Sequence, residues 1–402
     1  MKIKQRLKRI DALSRLNEAF KAPLQELQAY LALAAYQRRA RELDIRELDE
    51  TELTQALRER LAKRPHPAWP KALGELHIFL AYYTHNWEHV LPSALAPFGT
   101  VTAFDWRANG YDETSPRWLQ ERDSMNVAML AAFREANAKQ PVDAVVGYLS
   151  GHNTDPRVLR TMAEEGAAIF NFCWDDTLSF PGKLYGGRYT SPAALAAEVD
   201  LNLTNVPASI VKYRVHGGLA AFLPEAADPK INKPYDLSFE YDVSFVGARY
   251  GWRPRFIQAL ERRGIHIECF GPGWPNGPLA FDEMVRLYSQ SRINLGFSGI
   301  GHSKKICCLK GRDFEVPMSG GLYLTQEHPD LHRVYQVGRE ILTYSSVEDC
   351  AQKIRWALEH PDEVQVIRKA GRERCLREHT YEACWTRVFH MAGILGEANY
   401  AE

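Results

Sequence analysis

The chain has 402 residues, 45% of them hydrophobic and 25% charged, an ordinary globular composition with length enough for two hydrophobic cores. Lys plus Arg and Asp plus Glu both number 50, so no net charge steers the chain to DNA, RNA or a membrane, and a nucleic-acid role is disfavoured. Seven cysteines lie scattered without a Cys-x-x-Cys pair, which argues against a zinc site or disulfide frame and for buried thiols in a reducing, cytoplasmic setting.

Residues 1 to 64 read as a helical extension. Leu13, Leu16, Phe20, Leu24, Leu27 and Leu31 recur at three- and four-residue steps, an amphipathic helix that Pro23 is expected to interrupt. A second helix is expected near Asp49, where Asp49 and Glu52 have the spacing of a capping box ahead of Leu53, Leu57 and Leu61. The extension carries more Lys and Arg than Asp and Glu; packing on the main body is its first reading, and a protein partner or anionic membrane surface its alternative. Basic Lys2 to Arg9 runs into Ile-Asp-Ala-Leu-Ser-Arg rather than a signal-peptide core, and no apolar run reaches the roughly 18 residues of a spanning helix.

From residue 65 to 225 strands alternate with helices. Strands are expected at 76–83, 101–106, 142–149, 167–173 and 201–204, with helices at 125–138, 156–165 and 208–216 between or after them. Such spacing implies right-handed crossovers and a parallel sheet, whose ligands sit beyond the carboxyl ends of the strands. His85, His152, Asp175 and Asp176 all fall there, and His152, Asp175 and Asp176 are the candidate catalytic bases.

Residues 226–238, with Pro229 and Pro234, read as a linker. From 239 to 402 the alternation begins afresh with a strand at 241–247, then Arg249 and Arg253 before the next helix, a strand–loop–helix start suited to an anion. Gly271-x-Gly273-x-x-x-Gly277 has the wrong spacing for a dinucleotide fingerprint, and Pro272, Pro275 and Pro278 prevent a helix from opening there. A phosphate-binding Gly-Lys-Ser/Thr loop and a Gly-x-Ser-x-Gly elbow are both absent. The stretch 306–325 places Lys310, Arg312 and Glu315 just before a proline and the Gly320-Gly321 pair. It reads as a corner where a carboxylate holds sugar hydroxyls while cations and backbone amides hold phosphates.

The run Lys310-Gly-Arg-Asp-Phe-Glu315-Val-Pro-Met-Ser-Gly-Gly321, with Glu340-Ile-x-x-Tyr344, Gly371-Arg-x-Arg374 and His379-Thr-Tyr381, resembles the GT-B glycosyltransferases of the spore-maturation (CgeB-like) group. Asp175-Asp176, Thr204 and Pro224-Glu225-Ala-Ala-Asp228-Pro229 agree with it, and the resemblance spans about residues 75 to 390. It implies an α/β fold of two Rossmann-like domains, the acceptor mainly on 65–225 and a nucleotide-sugar donor mainly on 239–402, whose last helices are expected to pack on the first domain. It also implies that Glu315 holds the ribose hydroxyls, as the second glutamate of a Glu-x7-Glu motif whose first position is Cys307 here. Arg253, Lys310 and Arg312 match positions that neutralise the leaving diphosphate without a metal, and no cofactor beyond the donor is implied. The expected activity is transfer of a sugar to a saccharide, lipid-linked or protein acceptor. A nucleotide-sugar epimerase, or a non-catalytic nucleotide-sugar-binding or assembly protein docked through 1–64, are the alternatives.

Overall fold

The structure is a computed structural model that describes residues 11–65, 69–83, 87–185 and 187–396, with side chains from residue 20 onward. His85 lies outside the described residues. Helix α1 runs Asp11–Glu42 and α2 runs Glu50–Leu61. Pro23 does not interrupt α1: the helix passes through it, giving up one backbone hydrogen bond out of many. The capping box of α2 forms as the spacing requires, with Glu52 N–H donating to Asp49 Oδ1 at 2.9 Å and Asp49 N–H donating to Glu52 Oε2 at 3.2 Å. Leu53, Leu57 and Leu61, one face of that helix, are buried.

The described residues form two compact units. One comprises 33–224 and 381–396, and the other 225–380 and the described part of 1–32. The 226–238 stretch therefore belongs to the second unit, and the last helix to the first.

The first unit holds β1 (Leu76–Tyr82), α3 (Leu91–Leu95), β2 (Gly99–Asp105), α4 (Trp118–Lys139), β3 (Ala144–Gly147), α5 (Pro156–Glu164) and β4 (Ala168–Cys173). A short hairpin, β5 (Leu184–Tyr185) and β6 (Arg188–Tyr189), precedes β7 (Leu201–Thr204), α6 (Ile210–Val215) and β8 (Ala220–Phe222). Six strands form a parallel sheet in the order β2-β1-β3-β4-β7-β8. β1, β3 and β4 are buried along their whole length, as largely apolar strands in a sheet covered on both faces are, with polar His77 and Asn171 buried among them. α5 starts where Asp155 accepts the Arg157 amide and Pro156 takes the first helical position.

The second unit holds β9 (Tyr241–Val246), α7 (Arg253–Glu261), β10 (Glu268–Phe270), α8 (Phe281–Gln290), β11 (Ser291–Leu295), α9 (Arg312–Met318), β12 (Tyr323–Gln326), α10 (Leu331–Val334), β13 (Leu342–Tyr344), α11 (Val347–Glu359) and α12 (Pro361–Glu378). Its parallel sheet has the order β10-β9-β11-β12-β13. The chain leaves β9 for β10 on one side and returns to β11 on the other. That reversal opens a crevice at the carboxyl ends of β9 and β11. The final helix, α13 (Tyr381–Ala392), closes the first unit, with Phe389 edge-on to Phe98 and Phe170.

The Gly371 and His379 motifs turn out to be braces. Gly371 lets α12 approach so closely that a methyl group there would lie 2.3 Å from the Glu340 carbonyl oxygen. His379 Nε2 lies 2.9 Å from the Val334 carbonyl, and its ring packs on Phe314 of α9. Gly371→Ala is therefore expected to lower stability by ~1–3 kcal/mol, read as a lower denaturant midpoint at unchanged slope. An unchanged midpoint would contradict this packing.

Candidate functional site

The crevice residues follow from the strands that deliver them. Directly after β9, Arg253 enters the first turn of α7 and is 3% exposed. Its Nη1 donates to the Ala248 carbonyl at 3.1 Å and its Nη2 to the Tyr250 hydroxyl at 2.9 Å, with the guanidinium 4.1 Å from the centre of the Tyr250 ring. Burial lowers its pKa, and Tyr250 partly offsets the effect. Arg249 lies over Trp274 at 5.6 Å, and Trp274 Nε1 donates to the Gly247 carbonyl at 2.8 Å. Arg249 and Trp274 line an open groove of about 810 Å³ beside β10 and α7.

After β11 the chain loops to Lys310, Arg312 and Glu315. Asp313, fully buried, fixes this turn: its Oδ2 accepts the Lys310 amide at 2.7 Å and its Oδ1 accepts the Tyr323 hydroxyl at 2.7 Å. Lys310 Nζ donates to Cys308 Sγ at 2.9 Å. Burial depresses the Lys310 pKa, but Cys308, Glu225 and Tyr250 outweigh it and hold the ammonium charged. Around Arg312 the same contest runs between burial and the groups Tyr288, Tyr323, Glu315 and Asp313, and again the charged form wins. The Arg312 charge also acts on Arg253. Three cations thus share one locality.

Two carboxylates meet them. Glu315 Oε2 accepts the hydroxyl of buried Tyr288 at 2.9 Å. A methyl group on Gly311 would lie 2.9 Å from Glu315 Oε1 and 3.0 Å from Glu225 Oε2, so both acids close on the same turn. Glu225 enters from the Pro-Glu-Ala-Ala-Asp-Pro motif, which sequence reading noticed without giving it a place in the site. Tyr250 and Tyr288 were missed; only their position next to an arginine or within a helix face marked them.

Gly320 and Gly321 depart from the expected donor contact. They lie past the far end of α9 and lead into the amino end of β12. A methyl group on Gly321 would meet Asn294 Nδ2 at 2.8 Å and the Tyr288 carbonyl at 3.0 Å, so the pair serves close packing there. Cys307 is half-buried, its Sγ 3.3 Å from the Lys304 carbonyl, with burial raising its thiol pKa to about 12; it supplies no carboxylate.

The loop before it is held by α1. Gln25 Oε1 accepts the His302 amide at 2.7 Å, and Glu26 Oε1 accepts the Ser303 hydroxyl at 2.7 Å. Elsewhere on α1, Phe20, Leu24, Leu27, Tyr30 and Leu31 are more than half exposed.

In the first unit the three candidate bases separate. Asp176 is wholly buried, its Oδ2 accepting the Tyr213 hydroxyl at 2.9 Å, while Lys212 Nζ donates to the Asp176 and Thr177 carbonyls at 3.0 and 3.1 Å. Burial raises its pKa, so in place of the expected base the structure shows an interior carboxylate with no open path to a substrate. Asp175 is exposed and accepts the Tyr148 hydroxyl at 2.8 Å. His152 is half-buried against Trp118, with its pKa lowered by burial and by Arg122.

The two switched parallel sheets define an α/β chain of the GT-B class. The solved structures agree: sucrose-phosphate synthase from Thermosynechococcus elongatus is 12% identical, matches 79% of this chain and 98% of its own, and superposes with a TM-score of 0.55. Anabaena HepE in complex with UDP and glucose is 11% identical over 79% of this chain and 99% of its own, with a TM-score of 0.53. In sequence, the Glycosyl transferase-like family matches residues 253–389, from the start of α7 into α13. Comparison with curated proteins found no match.

Gly311→Ala tests the paired carboxylates. Its φ of −49° suits alanine, so stability is expected to change by less than about 1 kcal/mol while the methyl displaces Glu315 and Glu225, and whatever this turn holds, titrated as uridine diphosphate, binds at least tenfold more weakly. Unaltered binding in a folded variant would contradict the arrangement around this turn.

Proposed function

We propose that the protein is a GT-B glycosyltransferase, similar to the CgeB-like group, that moves a sugar from a nucleotide-sugar donor to a saccharide, lipid-linked or protein acceptor. The observation that carries this reading is the convergence of Arg253, Lys310 and Arg312 with Glu315 and Glu225 at the β9–β11 switch point. The Glycosyl transferase-like match over 253–389 covers all of these residues but Glu225. The UDP of the Anabaena complex makes a uridine nucleotide the first donor to try.

In the mechanism that follows, Glu315 accepts ribose hydroxyls, its geometry set by Tyr288. Lys310 and Arg312 face the diphosphate, and Arg253, stacked on Tyr250, reinforces the field from behind them. As the bond from the anomeric carbon to the diphosphate oxygen lengthens, negative charge grows on that oxygen and the sugar becomes oxocarbenium-like. Cations already held in place stabilise this state without reorganising, and they do so without a metal. Glu225 supplies the carboxylate that Cys307 lacks, and we assign it to a hydroxyl of the donor sugar. For an inverting reaction Asp175 is the base that takes the acceptor proton, because its carboxylate reaches solvent and Asp176 is enclosed.

Residues of α1 have a separate part in this proposal. The exposed Phe20, Leu24, Leu27 and Leu31, near a first nine residues with five cations and no acid, suit an anionic lipid surface. Leu24→Glu with Leu27→Glu is expected to abolish sedimentation with phosphatidylglycerol vesicles; undiminished sedimentation would remove the membrane from the account and leave a protein partner.

Two measurements address the activity. In a nucleotide-sugar panel, a donor at 100 times its Kd raises stability by about 2.7 kcal/mol, read as a higher melting temperature. Glu315→Ala and Arg312→Ala are expected to cut transfer at least 100-fold, equivalent to about 2.7 kcal/mol, while keeping the fold. Wild-type turnover in either variant would refute the site. Conversion of the donor with no acceptor present would favour an epimerase.

A further inference from the structure

The first unit contains a second group of guanidiniums that the proposed donor chemistry does not use. Arg122 on α4 and Arg188 on β6 have side chains only 11% and 16% exposed. Arg122 Nη1 donates to the Gly151 carbonyl at 3.3 Å, and its Nε lies 3.7 Å from Asp123, whose side chain is 77% exposed. Arg188 Nη1 lies 3.2 Å from Asp155 Oδ2, an oxygen that Arg157 already engages at 2.7 Å. Three buried nitrogens, Arg122 Nε and Arg188 Nε and Nη2, have no acceptor among the described residues. Guanidiniums do not shed their charge, so burial and mutual repulsion persist until an acceptor arrives.

The place suits a ligand. Gly151 and His152 follow β3 at the carboxyl end of its sheet, where β1 and β3 flank the reversal of strand order. The hairpin that carries Arg188 rests on Gly151, where a methyl group would lie 1.9 Å from the Tyr189 carbonyl oxygen. Tyr185 stands directly opposite Arg188 in the hairpin register and so shares its face, with 52% of its surface exposed. It offers an apolar ring beside the charged fork.

We propose that Arg122 and Arg188 form a carboxylate-binding subsite for an acidic sugar, with Tyr185 against the sugar ring. The charge balance selects this class. Arg122, Arg157 and Arg188 face Asp123 and Asp155, which leaves one positive charge in excess and matches a single negative one. The planar fork of Arg188 presents Nε and Nη2 side by side, the geometry that takes a carboxylate bidentately. A neutral sugar can accept from those donors but leaves the excess charge uncompensated, and a phosphate dianion overshoots it. That the sugar is the acceptor rests on the glycosyltransferase reading; the subsite itself does not.

His152 reports on the site. Its ring feels the Arg122 charge and hydrogen-bonds to the Glu113 backbone, while the Glu113 side chain accepts from Trp106 and Asn153. Glucuronate binding neutralises the guanidinium pair, so it is expected to raise the His152 pKa saturably, followed by nuclear magnetic resonance on the full chain with the signal assigned through His152→Gln. Glucose is expected to leave it unmoved, and Arg188→Gln to weaken the glucuronate response at least tenfold. Arg188→Lys, which keeps the charge and loses the fork, is expected to weaken it as well and serves if the glutamine variant does not fold. No saturable response to glucuronate, an equal response to glucose, or full affinity in a folded Arg188 variant would overturn the proposal. A response to dimethyl phosphate in place of glucuronate would overturn the carboxylate assignment. No nucleotide sugar enters the titration, so its result is independent of whether transfer is observed.

Discussion

A buried carboxylate with every oxygen engaged sets the position of most of the charged groups described above. Asp313 accepts the Lys310 amide and the Tyr323 hydroxyl, each at 2.7 Å, and its own carbonyl accepts the Tyr335 hydroxyl at 2.7 Å. One short side chain thereby ties the turn before α9 to β12 and to the segment that follows α10. Enclosing a carboxylate is costly, and the cost shows in a pKa raised by burial to about 6, which the two donors and the neighbouring Arg312 and Lys310 hold in check. Lys310 and Arg312 precede this residue by three positions and one, within the turn that it ties down, so their placement depends on it.

The second constraint is the reversal of strand order in the second unit. It makes the ends of β9 and β11 neighbours, which is why Arg253 and Arg312, far apart in sequence, feel each other's charge. Burying like charges together is unfavourable unless something compensates. Tyr250 beneath Arg253, Cys308 beside Lys310 and Glu315 near Arg312 do so in part, and a diphosphate would complete the balance. The braces formed by Gly371 and His379 keep α9 in place from its outer side.

Much of this was readable from the chain because its signals are local. The mostly apolar runs at 76–82 and 168–173, interrupted only by His77 and Asn171, read as buried strands of a parallel sheet, and Asp49 with Glu52 named the start of α2. The cluster at 310–315 stood out because Lys310, Arg312 and Glu315 crowd just before a proline. Long-range partners were illegible: nothing in the sequence said that Glu225 closes on Gly311 or that Tyr288 reaches Glu315. Gly320-Gly321 misled because a glycine pair serves close packing as well as ligand approach. Asp175 and Asp176 lie side by side past the end of β4, and only the folded chain shows which carboxylate is exposed and which enclosed. Pro23 misled in the other direction, since a 32-residue helix tolerates one missing hydrogen bond.

The central claim is that Lys310 and Arg312 exist to hold a diphosphate. Calorimetric titration of a nucleoside diphosphate against its monophosphate tests it most directly. The account predicts that the diphosphate binds at least tenfold more tightly, a difference of about 1.4 kcal/mol, and that Lys310→Ala with Arg312→Ala removes that preference. Equal affinities for the two nucleotides in the wild-type protein, or a preference that survives both substitutions, would contradict it.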